Sequence, residues 1–96
     1  MHAVMRTYSG LEAKKLFDLL HERKGEVESV MRPIKGLVSY TVFRTVDGGA
    51  SVTVCQDKSG ADESVRVARE WIQQNAANIS ASPPAVSEGS VIVQLK

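Results

Sequence analysis

The 96-residue chain has a single cysteine, so no disulfide can form within it. Cys55 with His2 and His21 is one side chain short of the four ligands of a structural zinc site, and no metal or other cofactor is expected. A surplus of one charge is also missing, since 12 Lys+Arg stand against 11 Asp+Glu. The basic residues are interleaved with acidic ones, as in Glu22-Arg23-Lys24 and between Arg66 and Glu70. A nucleic-acid partner calls for a clustered basic patch, so none is expected. Long apolar runs are absent too. His2 and Arg6 interrupt the apolar residues near Met1, which leaves no secretory core segment, and nothing approaches the ~20 residues of a membrane span. A lone thiol and no targeting segment point to a cytoplasmic setting with no membrane partner. Aromatics number only five, one Trp, two Tyr and two Phe, so each is a candidate for a core or for a ligand wall.

What is present is one domain, residues 1–96, small enough that its stability margin is thin and oligomerisation is a common remedy. Ala3 to Tyr8 reads as a strand. Ser9-Gly10-Leu11-Glu12 fits a capping box, and a helix follows with Ala13, Leu16, Phe17, Leu20, Val27 and Met31 on one stripe. Lys24-Gly25 allows a bend in it, and Pro33 stops it. Leu37 to Thr45 is rich in β-branched and aromatic residues, Asp47-Gly48-Gly49 marks a hairpin, and Ala50 to Gln56 is the returning strand. A second helix starts near Asp57-Lys58-Ser59-Gly60, capped by Ser59 or Asp62, and carries Ala61, Val65, Ala68, Ile72, Ala76 and Ile79 inward, a stripe widened by Val67 and Trp71. Ser80 to Glu88, with Pro83-Pro84, reads as an extended loop, and Ser90 to Leu95 as the last strand. The order β-α-β-β-α-β is the ferredoxin-like, α+β arrangement, with two helices on one face of a four-stranded antiparallel sheet.

The middle strands sort their residues onto two faces. Leu37, Ser39, Thr41 and Phe43 share one with Val52 and Val54; Val38, Tyr40 and Val42 share the other with Ser51, Thr53 and Cys55. A sheet with one wet face shows a polar row on it, and neither row here is charged except at its margin. Two helices cover one face only. A second copy of the chain, making a homodimer, is the simplest cover for the other.

With these elements in place the chain resembles the dimeric α+β barrel superfamily, and most of all the antibiotic-biosynthesis-monooxygenase-like domains. The resemblance spans nearly the whole chain. It rests on the element order, on the early first strand, on Gly36-Leu-Val-Ser-Tyr40 after the first helix, and on Val52-Thr-Val-Cys-Gln-Asp-Lys-Ser59 leading into the second. It implies two sheets packed face to face in a dimer and a ligand cavity between the helices and the sheet of each protomer. It also implies cofactor-independent monooxygenase-like oxidation of a small aromatic or quinone-like molecule, haem breakdown, or no activity. The Ser80 to Glu88 stretch departs from the pattern; it would reach toward a partner or cover a cavity mouth.

Three residues are the candidate cavity wall: Tyr40, Trp71 and His21. Trp71 can stack a planar ligand, or simply pack in the core as most large aromatics do. Tyr40 carries a hydroxyl that needs a partner if buried. His21 sits at the edge of the buried stripe of the first helix, where a surface histidine is the plainer reading. The second helix has Asn75 and Asn78 but no histidine, so haem held by an axial histidine is not expected. Cys55, among apolar neighbours, is read as an inert thiol. Two functions stay open: a metal-free oxygenase, and a non-catalytic dimeric module that binds a ligand or partner. The scarcity of titratable groups at inward positions favours the second; the resemblance favours the first.

Overall fold

A computed structural model describes residues 1–95, and over them the chain runs β1 (His2–Ser9), α1 (Leu11–Glu22), α2 (Lys24–Met31), β2 (Leu37–Thr45), β3 (Gly48–Cys55), α3 (Lys58–Asn75) and β4 (Ala85–Ser90). The four strands form one antiparallel sheet in the order β2-β3-β1-β4. This is the expected α+β, ferredoxin-like arrangement, with the first helix in two pieces. The break falls at Arg23, whose φ of −109° and ψ of 31° leave the helical region, just before the expected weak point at Lys24-Gly25. The joint is held from outside: Arg23 forks onto Glu26 with two contacts of 2.6 Å, and its guanidinium lies 5.4 Å from the centre of the Trp71 ring on α3.

Two of the expected helix caps are different in the structure. Ser9 does not cap α1, because its backbone is still paired with Gly48 as the last residue of β1. Gly10, at φ 101°, takes the cap position, and its N–H donates to the Asp47 carbonyl at 2.8 Å. Glu12 turns elsewhere, to Lys15 at 2.9 Å and to the backbone N–H of Ser80 at 3.1 Å. Helix α3 is capped by Asp57, not by Ser59 or Asp62; its carboxylate accepts from the Gly60 N–H at 3.0 Å and from the Ser59 hydroxyl at 2.8 Å.

Register explains the sheet faces. Thr45 pairs with Gly48, so Val46-Asp47 is a two-residue turn. Tyr40, Val42, Ser51, Thr53 and Cys55 point to the helices, joined by Val4, Arg6 and Tyr8 of β1. Ser39, Thr41, Phe43, Val52 and Val54 point away, as expected. Leu37 does not stay with them: a bulge between Leu37 and Ser39 turns it to the helix side, where it packs against Val4, Cys55 and Ala61. Gly49 also faces the helices, directly under the Phe17 ring, where a Cβ would overlap it.

Leu16, Phe17, Tyr8 and Ala76 form one part of the core under α1, and Val27, Met31, Ala68 and Trp71 form another under α2 and α3. The opposite sheet face has no helix on it. There Met5 is 42 % and Phe43 45 % exposed, so Phe43 is not a core residue within a single chain.

The last strand differs from expectation. It is Ala85–Ser90, inside what reads as a loop, and Ser90 to Leu95 is not a strand. Pairing with β1 decides this. The ladder runs from Thr7 opposite Ala85 to His2 opposite Ser90, and it ends with the Val91 N–H bond to the Met1 carbonyl at 3.0 Å. Residues 91–95 therefore leave the sheet, and Ile92 and Leu95 are almost fully exposed. Among the described residues no helix is long and apolar enough to cross a membrane.

Candidate functional site

The alternation Val4-Met-Arg-Thr-Tyr8 in β1 sends Arg6 inward between Val4 and Tyr8, and the antiparallel register sets Ser51 of β3 directly beside it. Arg6 is only 5 % exposed and Ser51 only 3 %. An inward arginine is costly to bury without a partner. Among the described residues Arg6 has no carboxylate partner, and the Ser51 hydroxyl has no hydrogen-bond partner either.

Around this pair the space between sheet and helices divides into three. The innermost part, about 20 Å³, is walled by Arg6, Ser51, Tyr40, Phe17 and Trp71. It has room for about one water and not for a ring. A larger cleft of about 490 Å³ opens on the β4 side, between α3, β1 and residues 79–86. Its walls are Leu16, Ile72, Ile79, Pro84 and Val86, with Arg6 and Tyr8 at its inner end and the exposed Arg69 along α3. The volume lies within the roughly 300–1,000 Å³ usual for small-molecule clefts, and apolar walls with a few converging polar groups are the usual chemistry. A third opening of about 350 Å³ lies on the β2 side, lined by His21, Tyr40, Phe43 and Arg44 among others.

The three residues singled out from sequence are thus divided. Tyr40 and Trp71 share the inner space, Tyr40 and His21 share the β2-side opening, and none of the three lines the largest cleft. Arg6, Tyr8 and Ser51 were not among the sequence candidates. The signal for them was present, because strand alternation alone places Arg6 on the face of Val4 and Tyr8. Part of the stretch expected as a loop, Ala81 to Pro84, walls the largest cleft.

The phenols stay neutral. Burial pushes the Tyr40 and Tyr8 hydroxyls up, and the positive charge of Arg6 pulls each partly back, helped for Tyr40 by a hydrogen bond from Arg6 and for Tyr8 by Arg69. They can therefore donate hydrogen bonds to a ligand oxygen at neutral pH. Burial also pushes the Cys55 thiol up, with Asp57 adding to the effect, which leaves it un-ionised and a poor nucleophile. Among the described residues no three His, Cys, Asp or Glu side chains gather to hold a metal.

No protein-family profile matches the chain, and no curated protein matches it by sequence. Solved structures do match its fold. A protein of unknown function from Nitrosomonas europaea superposes with a TM-score of 0.77 at 12 % identity, covering 99 % of this chain and 92 % of its own. The ActVA-Orf6 monooxygenase of Streptomyces coelicolor, solved with nanaomycin D, gives 0.67 at 15 % identity, covering 99 % and 90 %. A dimeric ferredoxin-like protein from an uncultured marine organism gives 0.65 at 12 % identity, covering 99 % and 94 %. The chain shares the ferredoxin-like α+β fold of these structures. At such identities the likeness is one of architecture, and within that fold the chemistry must be argued from the side chains that line the clefts.

Proposed function

We propose that the protein is a cytoplasmic homodimer that binds a small aromatic or quinone-like molecule in the cleft between α3, β1 and β4. The observation that carries this reading is the cleft itself: about 490 Å³, walled mainly by aliphatic side chains and proline, with Arg6, Tyr8, Arg69, Gln73 and Ser82 as its polar side chains. A flat hydrocarbon ring gains by leaving water for such walls, at roughly 25 cal/mol per Å² of apolar surface removed.

Two chemistries follow. In a metal-free monooxygenase reaction a ring methylene and O₂ give a carbonyl and water, with the substrate supplying all four electrons. The protein's part would be to hold the substrate dry and stabilise its anion. Binding without turnover is the second reading, and one observation favours it: no carboxylate or histidine lines the 490 Å³ cleft to act as a base. A substrate oxidised here would have to ionise unaided. Calorimetric titration with a panel of small quinols and quinones, run beside an oxygen electrode, tests both. Saturable binding of one ligand per chain supports the cleft reading, and oxygen uptake separates turnover from binding alone. Failure of every planar compound to bind would count against the reading.

A further inference from the structure

Resting on that reading, we infer that the ligand is an anion whose charged oxygen docks between the Arg6 guanidinium and the Ser51 hydroxyl, with its ring along the aliphatic wall toward Pro84 and Val86. The case begins with two neighbours in the sheet. Arg6 of β1 and Ser51 of β3 are register partners on the helix-facing side, and both are more than nine-tenths buried. A buried guanidinium normally has a carboxylate, and a buried hydroxyl normally has a hydrogen-bond partner. Five carboxylates are paired with other cations. Asp18 holds Arg44 at 2.9 Å, Glu63 and Glu70 both hold Arg66, Glu12 holds Lys15, and Glu88 holds His2 at 2.8 Å.

The Ser51 Oγ lacks any partner among the described residues. A donor-rich cation that lines both the apolar cleft and the one-water space behind it, beside an unused hydroxyl that lines that inner space, forms a receptor for one anionic oxygen. The guanidinium N–H groups and the Ser51 O–H donate, and the ligand accepts. Tyr8, which lines both the inner space and the cleft, offers a third donor, and Arg69 farther along the wall adds positive potential along the way in. A neutral ring would leave the Arg6 charge facing only the neutral Tyr40 hydroxyl and Ser51 without a partner, so the site discriminates by charge as well as by shape. Ionised hydroxyquinones, phenolates and aromatic carboxylates share the required chemistry.

The test uses Trp71 fluorescence, since this only tryptophan lines the inner space with Arg6. Two probes of nearly equal shape are titrated at neutral pH: naphthoquinone, which is neutral, and lawsone, its hydroxylated and ionised analogue. The parent protein is expected to prefer lawsone by ~10-fold or more, the scale of one charge-assisted hydrogen-bonded contact. In Arg6→Met the preference disappears, and the ligand-free variant has a higher urea midpoint, because a buried charge with no carboxylate partner is gone. Ser51→Ala lowers the preference several-fold and serves if Arg6→Met does not fold. Equal affinity of the parent for both probes overturns the anion inference but leaves the cleft reading standing. So does a preference that survives in either variant undiminished. Binding of neither probe overturns both.

Discussion

At the scale of single residues, the contact between Gly49 and Phe17 shows how closely α1 lies on the sheet. Phe17 is buried and packs edge-on to Tyr8 with ring centres 5.7 Å apart, and it can do so only because position 49 has no side chain. Gly49→Ala is expected to cost about 1–3 kcal/mol by overpacking. Phe17→Leu in the same chain should recover part of that loss, a coupling that a double-mutant cycle in urea would measure. An additive pair would mean that the ring is not what limits the space. Arg6 was overlooked in the sequence for a related reason. A charge inside a short strand reads first as a break in an apolar run, although the period of two had already put it beside Val4 and Tyr8 on the inner face. Ser51 gave no signal of its own, because only the β1–β3 register brings it against Arg6.

At the scale of elements, the presence of the helices and the central hairpin follows from pattern, although the first helix breaks at Arg23, α3 ends at Asn75 short of Ile79, and the turn falls at Val46-Asp47 rather than at Asp47-Gly48-Gly49. The apolar stripe of residues 13–31 and the β-branched run of residues 37–45 each have the period that their structure requires. The last strand did not follow from pattern, because Val91-Ile-Val93 has much higher strand propensity than Ala85-Val-Ser-Glu-Gly-Ser90. Pairing overrode propensity, since only the weaker segment lies alongside β1 while Pro83-Pro84 sets its upstream limit. Helix α3 gives a pH prediction. The Gly60 N–H and the Ser59 hydroxyl bonded to Asp57 hold its carboxyl below the ordinary carboxylate value. Its folded pKa is therefore depressed, so its contribution is present above the unfolded value and is lost as pH falls through the folded one. Asp57→Ala should lower the urea midpoint at neutral pH and flatten the acid limb of the stability curve. An unchanged acid limb would mean that the cap does not hold α3.

At the scale of the whole molecule, the helix-free sheet face and the exposed tail of residues 91–95 both call for a cover. Phe43→Ala would be expected to cost roughly 3 kcal/mol if its ring were buried in a core. With Phe43 45 % exposed in the single chain, the expected loss depends on protein concentration: below about 1 kcal/mol where the protein is dilute and monomeric, and larger where it is dimeric. Light scattering should give twice the 10.4 kDa chain mass at micromolar concentration, with an interface of at least ~1,500 Å². Deleting residues 91–96 should weaken that association without unfolding the sheet, because Ile92 and Leu95 contribute almost nothing to burial within one chain. A particle of single-chain mass at every concentration would remove the homodimer from the account.

The central claim is that a ligand enters on the helix side of the sheet and reaches Arg6. It is tested most directly by following backbone and indole N–H resonances during titration with lawsone. The account predicts saturable shifts confined to the neighbourhood of Arg6, Tyr8, Ser51, Ile72 and Trp71, with Met5, Thr41 and Val52 on the other face unmoved. Shifts centred on Met5, Thr41 and Val52, or shifts that never saturate, would contradict it.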